Sequence, residues 1–164
     1  LKVVDTPVGR IGCLICWENY MPLARYALYA QNIDIYIAPT WDSGDIWRDS
    51  MNHIAREGGC WVVSTATALQ GMDIPKTFPG RDELFTDDEW MNSGDAVVVK
   101  PFGGIVAGPL HQEKGILYAT IDPQEARNSR KPLDVSGHYG RPDIFNLEID
   151  RRPMPPLSFK DVSE

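Results

Sequence analysis

Between residues 9 and 66 the chain alternates between short apolar runs and amphipathic stretches, and this alternation constrains the fold more than any other feature. The apolar runs are typical of strands buried on both faces, and the stretches between them have helical spacing. A series of strand, helix, strand, helix and strand joins parallel strands through right-handed crossovers. The sequence therefore predicts an α/β fold with a parallel core sheet.

The same periodicity sets the expected bounds of these elements. We expect the strands at residues 9–16, 33–38 and 61–66. The first helix should begin at Pro22, which suits a first helical turn, and bury the stripe Leu23, Tyr26, Ala27 and Ala30. The second should span residues 45–57, stop at two glycines and bury Trp47, Met51, Ile54 and Ala55.

The rest of the chain is less regular. Proline, glycine and acidic residues between 70 and 94 predict a long loop, a functional lid or a surface excursion, with the acidic residues 82–89 in solvent. Beyond it we expect a hairpin of residues 96–100 and 105–107, a further strand at 116–121, a helix capped by Asp122 and a loose tail at 151–164.

Composition and charge exclude several classes of protein. Of the 164 residues, 43% are hydrophobic and 24% are charged, which is typical of a globular chain. The formal net charge is −7 and the Lys and Arg residues are scattered, so a nucleic-acid or anionic-membrane surface is not expected. The sequence shows neither a membrane-spanning apolar run nor a secretory signal. We therefore expect a soluble cytoplasmic protein.

The chain begins with Leu1, not with Met, and its first five residues have the pattern of a strand. A processed chain seldom begins inside a strand whose partners are missing. We therefore expect the sequence to be part of a longer protein.

The three cysteines, Cys13, Cys16 and Cys60, cannot form an even disulfide framework, and reduced thiols fit the cytoplasm. Cys13 and Cys16 match the C-x-x-C spacing of redox and metal sites. However, residues three apart on a strand face opposite sides of the sheet, and no second pair completes a zinc site. Cys60 precedes a strand, where a core-packing role is expected. We expect no metal and no cofactor.

Cys16 is the candidate nucleophile, because it ends an apolar run at a strand-to-helix turn, where nucleophiles recur in α/β proteins. A free thiol needs a base, a cation or a helix terminus to become a useful nucleophile. The chain offers His53, His111, His138 and Glu18 as partners, and no spacing selects one of them. An activating base could therefore lie outside this chain.

The segment from Gly12 to Leu23, which contains Cys16-Trp17-Glu18-Asn19, closely resembles the nucleophile segment of nitrilases, a branch of the carbon-nitrogen hydrolase superfamily. Further segments resemble successive nitrilase segments in the same order, at residues 38–40, 55–60, 101–103, 107–110, 114–119 and 137–143. The resemblance covers nearly the whole chain.

The resemblance implies one half of a four-layer αββα sandwich. Residues 1–150 would be the C-terminal part of a single carbon-nitrogen hydrolase domain whose N-terminal half is missing. The family's glutamate base, its lysine and a second glutamate lie upstream of the nucleophile, so they would precede Leu1. Dimers that extend into spirals are also typical of the family, so a homo-oligomer is expected.

The resemblance also implies roles for residues near the turn. Cys16 would attack the carbon of a small nitrile, and the backbone of Trp17 would stabilise the tetrahedral stage. Thr40 and Trp41 follow the carboxyl end of a strand, where ligand sites in parallel sheets lie, and would line the substrate pocket. Glu18 is interpreted as structural.

Two other functions stay open at this stage. An amidase of the same superfamily would share the thioester but take an amide. A non-catalytic chain kept for assembly is the second alternative. We expect the 164-residue chain alone to be inactive towards a nitrile.

Overall fold

A computed structural model of the chain describes residues 1–152 and residue 157. Apart from residues 151, 152 and 157, the predicted tail at 151–164 lies outside the described residues. The strands are β1 Val3–Thr6, β2 Gly9–Cys13, β3 Ile35–Ile37, β4 Trp61–Ser64, β5 Ala68–Gln70, β6 Trp90–Val99 and β7 Ile105–His111. The α-helices are α1 Pro22–Tyr29, α2 Asp45–Gly58, α3 Arg81–Leu84 and α4 Pro123–Ser129, and 3-10 helices cover Cys16–Tyr20 and Gly71–Asp73.

The strands form one mixed sheet in the order β1, β2, β3, β4, β6, β5, with β7 paired to β6. β2, β3 and β4 are parallel, with Ile11, Ile35 and Trp61 in register. β1 and β6 extend this parallel centre with antiparallel pairs. The predicted α/β fold class is confirmed, and the antiparallel edge strands make the sheet mixed.

Helices α1 and α2 cover one face of the sheet. Alternate strand residues point to that face, among them Tyr36, Val62 and Val99, all completely buried. Against them α2 packs its apolar stripe, and the prediction is confirmed because Trp47, Met51, Ile54 and Ala55 are at most 1% exposed. Cys60 lies in the same core and is completely buried, as expected for a small apolar side chain.

The predicted buried stripe of α1 is wrong. Leu23 is 64% exposed, whereas the buried positions of the helix are Arg25, Ala27, Leu28 and Tyr29. This two-turn helix contacts the sheet through Leu28 and faces α2 through Arg25 and Tyr29, so its buried residues belong to two faces. A single-stripe pattern does not describe a helix placed between two neighbours.

The predicted strand at 116–121 is also wrong, because this stretch forms no ladder with any described strand. Ile116 and Tyr118 are 76% and 82% exposed, so the apolar residues of this stretch do not pack on the described sheet.

The region 70–94 is more ordered than predicted. It contains a 3-10 helix, the short helix α3 and the first five residues of β6.

The opposite face of the sheet carries a smaller apolar cluster of Ile35, Trp61, Val98 and Ala126, the last from α4. Asp122 caps α4 as predicted, since its carboxylate accepts the backbone N–H of Gln124 at 2.8 Å. In the described part of the chain, no helix has the length and apolar character needed to cross a membrane.

Candidate active site

Cys16 begins the 3-10 helix that follows β2, and its backbone is left-handed with φ of 51°. This conformation is unfavourable for a residue with a side chain, by roughly 1–2 kcal/mol. The Cys16 N–H donates to the carbonyl of Pro39 at 2.8 Å, which ties the turn to the chain leaving β3. Such a strained turn at the end of a central strand presents the side chain at the edge of the sheet.

Thr40 lies beyond β3 at the same edge, where it forms a parallel bridge with Ala66. Its hydroxyl donates to the Cys16 sulfur at 3.5 Å and accepts the backbone N–H of Asp42 at 2.8 Å. The second bond orients the hydroxyl so that its proton is directed to sulfur. The carboxyl ends of three parallel strands thus bring Cys16, Thr40 and Ala66 together.

These contacts favour the thiolate form of Cys16. The hydrogen bond from Thr40 and one from the backbone of Trp41 lower the pKa of the Cys16 thiol, against a smaller opposing effect of burial. The backbones of Trp17 and Asp42 act in the same direction as Thr40. The Thr40 hydroxyl therefore donates directly to the sulfur, and hydrogen-bond donors placed in this way can also stabilise a developing anion on a substrate.

The other two thiols have the opposite character. Burial and the nearby Glu18 carboxylate raise the pKa of Cys13, which lies exposed at the end of β2. Burial raises the pKa of Cys60 to about 12. Of the three cysteines, only Cys16 combines access with a lowered pKa, the combination that marks a reactive thiol.

A tryptophan directly follows each of the two residues that meet at the sulfur, Trp17 after Cys16 and Trp41 after Thr40. Trp17 is 69% exposed and Trp41 is 53% exposed, so both residues are largely open to solvent. The Trp17 indole N–H donates to the Asp42 carboxylate at 3.0 Å, and the Tyr20 hydroxyl donates to the same oxygen at 2.8 Å. Trp17, Tyr20 and Asp42 line an open cavity of about 680 Å³ that extends to Ile46.

The structure thus brings together all four residues that the sequence singled out, namely Cys16, Trp17, Thr40 and Trp41. Their catalytic and binding roles stay predictions. Glu18 has a structural contact, since its carboxylate accepts the backbone N–H of Ile15 at 2.8 Å.

Asp95 in β6 supports the loop that follows Thr40, and sequence reasoning missed it. The carboxylate is completely buried and accepts the Gly44 N–H at 2.7 Å and the Arg48 guanidinium at 2.8 Å. Ser93 and His111 complete its partners at 3.0 and 2.8 Å. A charged residue directly before the apolar run 96–99 was the available signal, since such a position needs a partner.

Asn92, also in β6, acts on the same loop. It is 5% exposed and its side-chain amide donates to the carbonyl of Trp41. This contact and those of Asp95 fix the backbone between Trp41 and Gly44, including two of the N–H groups near the Cys16 sulfur. The loop that follows Thr40 is therefore held by β6, which is distant in sequence.

No histidine of the described chain hydrogen-bonds to Cys16. His111 pairs with Asp95, His53 lies 3.6 Å from the Glu57 carboxylate, and His138 is 3.4 Å from the carbonyl of Pro132. The structure gives no support to a Cys/His pair within these residues. Among the described residues, no group of three or more His, Cys, Asp and Glu side chains could hold a metal ion.

Comparison with known proteins gives a family match. The model of the carbon-nitrogen hydrolase family matches residues 1–131, which include every residue of the site described above.

Curated relatives are similar over almost the whole chain. It is 40% identical to the bifunctional nitrilase/nitrile hydratase NIT4A of Lupinus angustifolius over 167 aligned residues, covering 99% of this chain and 48% of the relative. It is 42% identical to nitrilase 3 of Arabidopsis thaliana, covering 97% and 47%. The chain therefore spans about half the length of the curated relatives it matches.

Solved structures share the fold. The NitFhit protein of C. elegans superposes with a TM-score of 0.71 at 24% identity, over 95% of this chain and 35% of that one. Saccharomyces cerevisiae Nit3, a member of branch 10 of the nitrilase superfamily, gives a TM-score of 0.65 at 19% identity, over 84% and 46%.

Proposed function

Because the chain belongs to the carbon-nitrogen hydrolase family, we propose that Cys16 is the nucleophile of a whole protein that hydrolyses a small nitrile to a carboxylic acid and ammonia. The observation that carries the proposal is the position of the Cys16 sulfur at the strand-to-helix turn, 3.5 Å from the Thr40 hydroxyl that donates to it. Hydrogen bonds that lower the pKa of a cysteine thiol increase its thiolate fraction, which prepares it as a nucleophile.

The chemistry proceeds in two hydrolytic stages. The Cys16 sulfur adds to the nitrile carbon, the nitrogen takes up a proton, and a thioimidate forms. One water adds to the thioimidate carbon and ammonia leaves, which gives a thioester. A second water cleaves the thioester, so that the acid is released and the thiol is restored. Each stage passes through a tetrahedral anion that nearby N–H donors would stabilise.

The residues around sulfur have matching roles in this scheme. The backbone N–H of Trp17 stabilises the anion, and Thr40 holds the thiolate between turnovers. Thr40 and the exposed Trp41 indole border the space that the substrate occupies. As the resemblance to nitrilases implies, the proposal assigns the general base to a glutamate outside this chain, assisted by a lysine. The histidines of the described residues have other partners.

The relatives support a nitrile over an amide. The names of the similar curated proteins are nitrilase or nitrilase/nitrile hydratase, at 39–42% identity. An amidase would use the same thioester, so the geometry of Cys16 is compatible with both substrates and the preference rests on the relatives.

The wider organisation that we propose concerns the domain, the location and the assembly, and the coverage of the relatives supports its first part. Residues 1–150 are the C-terminal part of a single domain, which fits a chain that covers 48% of a relative at 40% identity. A cytoplasmic location fits three free cysteines. A homo-oligomer completes the proposal.

Ammonia release by the whole protein tests the proposal. We expect release from an aromatic nitrile that falls to background in Cys16→Ala and persists in Cys13→Ala, a matched cysteine on the same strand-turn unit. Brisk turnover of the corresponding amide with no turnover of nitriles would move the assignment to an amidase. No turnover of either compound, with intact assembly, would favour the non-catalytic alternative.

A further inference from the structure

Asn19 is buried beneath the Cys16 turn with every polar side-chain atom bonded. It is completely inaccessible to solvent, and its amide nitrogen donates to the carbonyl of Cys16 at 2.7 Å and to that of Leu14 at 3.0 Å. These two carbonyls lie on either side of Ile15. The side chain therefore fixes the backbone at the end of β2 and at the nucleophile itself.

Tyr36 holds Asn19 in this orientation. This β3 residue is completely buried, and its hydroxyl donates to the Asn19 side-chain oxygen at 2.7 Å. The Cys16 and Leu14 carbonyls can only accept, so the amide nitrogen must face them and the amide oxygen must face Tyr36. The phenol therefore donates to that oxygen and satisfies it in the one orientation that the carbonyls allow.

Asn19 is also held from its own backbone. Its carbonyl accepts the Arg25 guanidinium at 2.8 Å, and Arg25 pairs with Glu57 of α2 at 2.9 Å. The Tyr29 hydroxyl donates to the same Glu57 oxygen at 2.9 Å. The turn is thereby connected to both helices that cover this face of the sheet.

We propose that Asn19 and Tyr36 form a buried clamp that positions Cys16, holding its backbone in the left-handed conformation that directs the sulfur to the Thr40 hydroxyl. Neither residue is a catalytic residue, since their bonds are to backbone and to each other. This inference rests on the proposed role of Cys16 as nucleophile and identifies the residues that prepare it.

The physical need for the clamp follows from the backbone of the turn. Cys16 carries a side chain at φ of 51°, a state that persists only where surrounding bonds over-determine it. The two carbonyl bonds from Asn19 supply that constraint on the buried side, while Pro39 supplies it through the Cys16 N–H. Without the clamp, the turn can relax and the sulfur leaves its donors.

The test is the pH profile of Cys16 alkylation by iodoacetamide in the whole protein, with each modified cysteine located by tandem mass spectrometry. Tyr36→Phe removes only the hydroxyl that is bonded to Asn19, and Asn19→Leu removes the clamp at similar volume. Val99→Ala is the control, because it removes completely buried side-chain volume from the same core at a β6 position that has no side-chain hydrogen bond. Cys13 is an internal reference in every sample.

We expect Tyr36→Phe and Asn19→Leu to slow Cys16 alkylation at pH 7 several-fold and to move its profile to higher pH, with Cys13 unchanged. Val99→Ala should lower the unfolding midpoint in urea and leave the Cys16 profile in place. An unaltered Cys16 profile in Tyr36→Phe would overturn the inference even if Asn19→Leu does not fold. Alkylation needs no nitrile, so this outcome is separate from success or failure of the proposed reaction.

Discussion

At the scale of single residues, the chain distinguishes three chemically identical thiols by their surroundings. Cys60 is buried among apolar side chains, Cys13 lies near a carboxylate, and Cys16 receives hydrogen bonds from Thr40 and from nearby backbone. Only the environment of Cys16 favours the thiolate.

The sequence predicted Cys16 and Thr40 because both follow the carboxyl ends of neighbouring parallel strands. It could not predict Asn19 as a buried clamp, since its contact with Tyr36 depends on how β3 packs behind the turn.

Removal of the Thr40 hydroxyl tests its effect on sulfur. Thr40→Val keeps the side-chain shape but deletes the donor, so the pKa of Cys16 should rise and alkylation at pH 7 should slow. A hydrogen bond to a charged group contributes about 1.5–3 kcal/mol, which corresponds to a change of roughly tenfold or more. Thr40→Ser, which keeps the hydroxyl, should alkylate nearly as the wild type. Equal Cys16 alkylation rates in Thr40→Val and Thr40→Ser would show that the Thr40 hydroxyl does not act on the thiol.

At the scale of elements, the site is assembled by the packing of α2 and β6 on the parallel strands. The buried stripe of α2 was predictable because a 14-residue helix with one covered face repeats its apolar residues regularly. The buried positions of α1 were not predictable from its sequence. This helix has only eight residues, and they pack against two neighbours, the sheet and α2. The segment 116–121 was predicted as a strand from its apolar alternation, but it forms none in the structure. A strand also needs a partner with which to form a hydrogen-bond ladder.

The close contact of α1 and α2 gives a stability prediction. A Cβ atom at Gly58 would overlap the Tyr29 ring, so Gly58→Ala should destabilise the protein by about 1–3 kcal/mol through overpacking. Urea unfolding measures the change, and Asp49→Ala, at an exposed position of the same helix, is the control. A Gly58→Ala protein as stable as the control would contradict this packing.

Asp95 gives a prediction about pH. Burial alone would raise its pKa, but the Gly44 N–H, His111 and Ser93 together hold the pKa of this carboxyl below its usual range. Because the folded pKa is depressed, Asp95 stabilises the fold above its unfolded pKa of about 3.9, and this contribution is lost as pH falls through the folded value.

The comparison of Asp95→Asn with wild type by urea unfolding at several pH values measures this contribution. We expect the variant to be less stable by about 1–3 kcal/mol at pH 7, because the Arg48 and His111 partners lose the carboxylate. The difference should shrink below about pH 4. Asp49→Asn is the exposed control. A difference that does not depend on pH would contradict a charged Asp95.

At the scale of the whole molecule, the described residues place no histidine on Cys16, the proposed nucleophile. The fold class and the position of Cys16 were predictable because strand and helix periodicities are local properties of the sequence. The support from Asn92 and Asp95 was not, because it joins residues 51 positions apart. The region 70–94 is more ordered than its composition predicted. The buried Arg81 organises it by donating to the Asp87 carboxylate and to the carbonyl of Gly71, and composition does not reveal such specific contacts.

The proposed division of the catalytic residues gives a prediction about activity. The 164-residue chain alone should release no ammonia from an aromatic nitrile, whereas the whole protein should release it steadily. Circular dichroism of the chain provides the control that it is folded in the assay. Rapid, Cys16-dependent release by the chain alone would show that it already contains a sufficient base.

The most direct measurement is mass spectrometry of Cys16 in the whole protein, quenched with acid during turnover of a nitrile. The account predicts a covalent adduct that fragmentation spectra locate on Cys16, with the added mass of the nitrile for the thioimidate or of the acyl group for the thioester. Cys13, which lies three residues away, and Cys60 should carry none. Continued turnover by Cys16→Ala, or an adduct confined to another residue, would contradict the central claim that Cys16 is the nucleophile.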